Sequence, residues 1–128
     1  MEVIKYWVLE CAKEFDINKQ TVMSQFMALY AQGLLKIQEL PERKGLVAWV
    51  VSPDMMGGIA VCEMFLYIKP EHRGNPRNLL RLIKVLEDEA KLLGCSVQIA
   101  SSFDFRDNKL LKLLQRKGYK VGSVRKEF

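Results

Sequence analysis

The chain reads as a mixed α/β domain: a three-strand antiparallel meander, then helix, strand, helix and strand. Three observations carry that reading. Apolar stretches between residues 34 and 69 are separated only by short polar turns, which favours antiparallel neighbours. A long amphipathic stretch with its own cap and stop, residues 75–94, follows the last of them. The 128 residues, 49% hydrophobic and 27% charged, suit one globular domain with one core.

Two helices open the chain. Val3, Ile4, Trp7, Val8, Cys11, Ala12 and Phe15 recur at helical spacing and predict one buried face. Asp16 and Asn18 interrupt the pattern and offer a cap to a second helix over residues 19–32. Its apolar face would hold Val22, Phe26, Leu29 and Tyr30, with Met23 and Met27 at the edge and Gly33 as stop. The strands follow at residues 34–40, 46–52 and 59–69, separated by turns at residues 42–45 and 53–58. Asn75 before Pro76 reads as an N-cap with proline in the first turn. Leu79, Leu82, Ile83, Leu86, Ala90 and Leu93 form that helix's stripe, and Gly94 ends it. A fourth strand, residues 96–101, comes after a crossover helix and so runs parallel to the third. A last helix, residues 110–116, starts at Asp107 or Asn108 and closes at Gly118; a strand over residues 119–128 completes the order.

Composition excludes several classes. No apolar run approaches the ~20 residues of a membrane span. The N-terminal residues are acidic and amphipathic, unlike a secretion signal, which argues for the cytoplasm. Cys11, Cys62 and Cys95 lie far apart and His72 is the one histidine, so no zinc pattern exists and free thiols are expected. Cys62 and Cys95 read as small core residues. A net charge of +5 favours anionic ligands without singling out nucleic acid. Lys109, Lys112, Arg116, Lys117 and Lys120 read first as a solvated helix face. Met23, Met27, Met55 and Met56 offer a soft, adaptable surface of the kind partners use.

The segment around residues 68–78 carries the chemistry. A strand entering a helix through a polar loop aims free N–H groups and the positive end of the helix dipole at one point. Arg73 and Arg77 flank it and suit a pyrophosphate clamp; otherwise they are two solvated arginines. Asn75 caps the helix, and both Asn75 and Asn78 carry amides able to reach phosphate.

The residues and their order resemble the GCN5-related N-acetyltransferase family over residues 34–128. One matching stretch is Ile68-Lys69-Pro70-Glu71-His72-Arg73-Gly74, with Leu93-Gly94-Cys95 closing its helix. The other is Asn108 followed by Gly118-Tyr119. In overall style the chain is similar to the short acetyltransferase-like proteins of tailed bacteriophages. The family resemblance implies a V-splayed sheet flanked by helices, here without the family's first strand. It implies acetyl-CoA in the splay, its pantetheine arm on the backbone of Leu66 and Ile68, and its pyrophosphate on the loop of Arg73, Gly74, Asn75, Arg77 and Asn78. Asn108 would orient the cofactor. An amine acceptor would attack the thioester, with Glu63 at the family's place for a general base. Burial would raise that carboxyl's pKa toward neutrality; on the polar side of its strand Glu63 would instead be exposed.

Three positions depart from the family pattern. Pro76 and Asn78 stand where small residues let backbone approach phosphate, and Leu114 stands where a tyrosine acid is usual. These favour an alternative, a catalytically inactive binding or structural protein on the same fold. Tyr119 reads as core, and Tyr67 points to the opposite face from Leu66 and Ile68. The missing first strand leaves an edge that a second copy would cover, a homodimer.

Overall fold

The computed structural model describes residues 2–53, 57–99, 109–119 and 125–127, without the side chains of residues 109–111 and 125–127. The chain divides into two compact units, Met1–Lys36 and Ile37–Phe128.

The first unit is a helical pair. Helix α1 (Glu2–Ala12) buries Ile4, Trp7, Val8 and Cys11, the face expected from its spacing. Asn18 caps α2 (Lys19–Ala31), its side chain accepting from the Thr21 N–H at 3.0 Å. Helix α2 buries only Phe26; Val22 and Leu29 are half-buried, and Tyr30, expected on its apolar face, is 47% exposed. Met23, Met27 and Tyr30 form a second stripe beside Val22, Phe26 and Leu29, and the core covers only the latter side, leaving Met27 and Tyr30 exposed.

The second unit is built on a five-stranded sheet in the order β1-β2-β3-β4-β5: β1 (Lys36–Glu39), β2 (Gly45–Pro53), β3 (Ile59–Ile68), β4 (Ser96–Ile99) and β5 (Arg125–Glu127). Strands β2 and β3 pair antiparallel, β3 and β4 parallel, β4 and β5 antiparallel. This is the predicted mixed arrangement, with the parallel pair created by the crossover through α3 (Pro76–Leu93). The expected fourth strand ends in the description at Ile99. Tyr119 lies before the described part of the last strand, and residues 120–124 fall outside the described residues.

Helix α3 packs on β2, β3 and β4. Leu82, Ile83, Leu86 and Ala90 close one cluster with Val47, Trp49, Val61, Leu66, Ile68, Val97 and Ile99. Helix α4 (Lys109–Arg116) adds Leu114, fully buried, and Tyr119 follows it into the same cluster. Gly94 stops α3 in the left-handed conformation at φ 65°, donating its N–H to Ala90 and Lys91 carbonyls. Leu93 is not in the buried stripe: the helix is ending there, and its side chain is 42% exposed. Cys95 is buried as expected, whereas Cys62 is only half-buried, its Sγ 3.2 Å from Ser52 Oγ.

The β1–β2 turn holds two contrasting positions. Glu42 and Arg43 sit at φ 60° and 52°, where a Cβ crowds the following carbonyl. Gly45, two residues on, has no room: an added Cβ would lie 2.9 Å from the Tyr67 carbonyl oxygen and 3.1 Å from Leu40 Cδ1. Arg43→Gly is therefore expected to stabilise the fold by roughly 1 kcal/mol, and Gly45→Ala to destabilise it by ~1–3 kcal/mol. Urea unfolding midpoints at unchanged slope check both signs.

Candidate functional site

The first half of strand β3 pairs with β4, from Ala60↔Ser96 to Glu63↔Ile99. Residues 64–68 have no neighbour on that side among the described residues. A bulge falls at the same place: Ala48 pairs with Phe65 but Trp49 with Glu63, so Met64 is the extra residue. A bulge raises local twist and bends its strand.

Hydrogen-bond alternation fixes where the backbone of that open half points. Lys69 N–H donates to the Lys44 carbonyl at 3.0 Å, and the register continues as Gly45↔Ile68, Leu46↔Tyr67 and Val47↔Leu66. Bonded pairs alternate with non-bonded ones in an antiparallel ladder. Leu46/Tyr67 is then a bonded pair, while Leu66 and Ile68 turn their N–H and C=O groups away from β2. Two contacts agree: the Gly45 carbonyl accepts from Leu40 N–H on the β1 side, and the Ile68 carbonyl accepts from Arg73 Nε at 2.9 Å.

The loop to α3 is braced by its own side chains. Pro70–His72 forms a 3-10 turn. Asn75 Oδ1 accepts from Arg77 N–H at 3.0 Å, the expected cap, and Pro76 brings no N–H. Asn78 is buried, and its Nδ2 donates to the His72 carbonyl at 2.9 Å. The amide expected to face phosphate thus ties the loop to the helix. Arg77 is exposed. Arg73 lies with its guanidinium carbon 5.3 Å from the Tyr67 ring centroid, a cation–π distance. The N–H groups of Gly74 and Asn75 find no protein acceptor among the described residues, and the space a Gly74 Cβ would take is open. His72 is half-buried on the loop.

Glu63 is 3% exposed, which removes the reading of it as a solvated strand residue. It stands opposite Trp49 on one side and beside Ile99 on the other, at the last described pair before the sheet opens. Asn108 lies outside the described residues, as do Met55 and Met56. Of the sequence-predicted site, then, Glu63, Leu66 and Ile68 fall on β3, and Arg73, Gly74, Asn75, Arg77 and Asn78 on the loop after it and the first turn of α3.

One polar group went unnoticed in the sequence. Glu87 is 5% exposed; its Oε2 accepts from the Tyr119 hydroxyl at 3.0 Å and its Oε1 lies 3.2 Å from Lys117 Nζ. The only available signal was position, since Glu87 is four residues after Ile83 on the buried side of α3. Burial first, and the Glu87 charge second, push the Tyr119 hydroxyl well above its ordinary value of 10.0. Lys112 and Arg116 are exposed as a solvated face would be, while Lys117 turns to Glu87. No described helix is long and apolar enough to cross a membrane, and the described residues hold no metal-ligating cluster.

The fold is that of the GCN5-related N-acetyltransferases: a mixed sheet flanked by helices, in which a crossover helix joins the two parallel strands. Solved structures bear this out. A probable acetyltransferase superposes with a TM-score of 0.70 at 10% identity, over 93% of this chain and 83% of its own. A predicted acetyltransferase from Clostridium acetobutylicum, solved with acetyl-CoA, gives 0.68 at 18% identity, over 93% and 84%. A transcriptional regulator from Bacillus halodurans gives 0.69 at 13% identity, over 93% and 87%. No family model and no curated protein matches the chain.

Tyr119→Phe would leave the buried Glu87 without its hydroxyl donor and should cost ~1–3 kcal/mol. The folded state holds the Tyr119 proton more tightly than the unfolded chain does, so this contribution is complete below pH 10.0 and declines above it. Melting temperatures from pH 8 to about 11 should fall more steeply for the wild type than for Tyr119→Phe.

Proposed function

We propose that this chain is an acetyl-CoA-dependent N-acetyltransferase acting on an amine in the cytoplasm. The observation that carries it is the second half of β3, where Leu66 and Ile68 turn their backbone donors and acceptors away from β2. An amide-bearing pantetheine arm suits such an edge, because it can pair with it as another strand would. The free N–H groups of Gly74 and Asn75 lie at the loop where a pyrophosphate would follow, with Arg73 and Arg77 supplying charge. Asn78 serves that loop from behind, through His72. We assign Asn108 the same cofactor-orienting role that the family resemblance implies.

Bound acetyl-CoA would supply an acyl thioester. The amine nitrogen attacks its carbonyl carbon, the C–S bond breaks, and the nitrogen loses a proton. Glu63, directly or through water, is the base we assign to that proton. Leu114 is buried in the core and Tyr119 donates to Glu87, so neither serves as acid; the thiolate takes its proton from water.

A second reading has its own support. Pro76 supplies no N–H and the Arg77 N–H is consumed by Asn75, so two donors of the helix start are withheld from a ligand. A binding or structural protein on the same fold, without turnover, would tolerate that loss. A second copy on the β1 edge remains part of the proposal, although a short strand with exposed Lys36 and Gln38 is already blunted against pairing.

Thermal unfolding with acetyl-CoA tests the reading. Cofactor at a hundred times its dissociation constant should add ~2.7 kcal/mol of stability; no shift at millimolar cofactor rejects it. Glu63→Gln should keep the shift and slow acetylation of an accepted amine by ~10²-fold or more. A shift without turnover on any amine selects the second reading.

A further inference from the structure

Residues 20–35 are the longest run of this chain without a charged side chain, in a sequence that is 27% charged. The uncharged run of β2 is a core strand, buried over its first half. The run on α2 lies mostly at the surface. Only Phe26 of that helix is buried, while Met27, Tyr30 and the following Leu34 are 44%, 47% and 47% exposed. Gln20, Ser24, Ala28 and Ala31 are exposed beside them. The solvent face of a helix ordinarily carries charge. A face poor in charge and rich in methionine and aromatic side chains has the composition of an interface centre.

Both ends of this helix are closed. Asn18 caps its start. At its other end Gly33 N–H donates to the Tyr30 carbonyl at 2.9 Å and Leu34 N–H to the Leu29 carbonyl at 3.0 Å, with Gly33 at φ 73°. This paired closure fixes the backbone of Leu34 at the helix end. The face is thus formed before anything docks on it.

Helical spacing sorts the face into two adjacent rows that share Met27. Met23, Met27 and Tyr30, leading to Leu34, make a row of large apolar groups; Gln20, Ser24, Met27 and Ala31 make a row of smaller or uncharged polar ones. A two-fold axis through Met27, with a second α2 running antiparallel, lays one row on the other. Met23 then meets Ala31, Tyr30 meets Ser24, and Leu34 meets Gln20, so ridges face grooves in both directions. The helix ends agree with that direction. Helix α2 has no acidic residue in its first turn and no basic one in its last, and its only charge, Lys19, stands at its positive end. In an antiparallel pair each Lys19 comes beside the negative end of the other helix.

We propose that the uncharged face of α2 is a self-docking surface, which pairs two copies of this chain antiparallel about Met27. Its chemistry disfavours other occupants. Phosphate backbones are held by Lys and Arg, a helix lying on a membrane carries them along its polar flank, and a charged protein would find no opposite charge here. Helix α2 is only about 20 Å long, whereas a stable interface buries ~800 Å² of each partner, so the pair is weak and forms with concentration. This surface is separate from the β1 edge, and the proposal is independent of the acetyl-CoA reading.

Sedimentation equilibrium from about 10 µM to about 1 mM should show a reversible monomer–dimer equilibrium. Met27→Glu and Met27→Lys each bring two like charges together at the axis and should lower the association constant by ~10-fold or more. Circular dichroism should show unchanged helix content in both, because Met27 is exposed and Glu and Lys are good helix formers. An equimolar mixture of the two variants should regain the wild-type association or exceed it, since the axis then carries opposite charges. A wild type that stays monomeric throughout overturns the proposal. A dimer that both variants retain belongs to another surface and overturns it too, as does a mixture that associates no better than either variant alone. The acetyl-CoA reading is untouched by each of these outcomes and stands or falls on the cofactor shift.

Discussion

The second unit depends on how β3 is held, a strand of ten residues with β2 along one side and α3 beneath. On its other side Ala60 to Glu63 pair with β4, which the crossover through α3 brings in parallel. Leu66 and Ile68 are 0% and 4% exposed, so their side chains anchor the second half of the strand in the core. Hydrophobic burial thus fixes the direction of backbone groups that do not bond to β2. The Met64 bulge lies between the two halves.

The loop after Ile68 solves the next constraint by side chains. Only seven residues, 69–75, separate the strand from α3, and they reverse the chain. Glycines could make that turn by leaving backbone bare. Here Asn78 reaches back to the His72 carbonyl, Asn75 caps Arg77, and Arg73 grips Ile68. Each brace replaces conformational freedom with a directional bond, so the loop is ordered before any ligand arrives. The cost falls on donors: those used within the loop cannot serve an anion, which leaves Gly74 and Asn75 as the backbone donors.

Much of this was legible in the sequence because its causes are local. Turn residues, the Asn75-Pro76 cap and the Gly94 stop act within a few positions, and each element they bound is present. Leu66 and Ile68 were named through the family resemblance, and period-two alternation along β3 then turns both backbones the same way, away from β2. Asn78 was misplaced toward the ligand, although residues 78, 82 and 86 form one helical row; an asparagine in a buried row needs an internal partner. Glu87 was missed for the complementary reason. Its partners, Lys117 and Tyr119, lie about thirty residues away, and no spacing rule links a helix carboxylate to a distant chain end. Tyr30 and Leu93 show the limit of periodicity, which marks apolar residues but not how far a neighbouring surface extends.

The fold and the chemistry are separable here. A transcriptional regulator superposes as well as the acetyltransferases do, so the opened sheet by itself does not fix a reaction. What distinguishes this chain is where its titratable groups went. The family's usual acid position is filled by Leu114, and the nearby Tyr119 hydroxyl is committed to Glu87 with its proton held tightly. Core packing and the Glu87 network therefore take the end of α4 out of proton transfer altogether. Glu63 stays as the buried carboxylate at the last described β3–β4 pair. On the proposed function, a site with Glu63 as base and no matching acid suits an attack in which removing the amine proton is the demanding step. A thiolate, the weaker base, can leave into water without help.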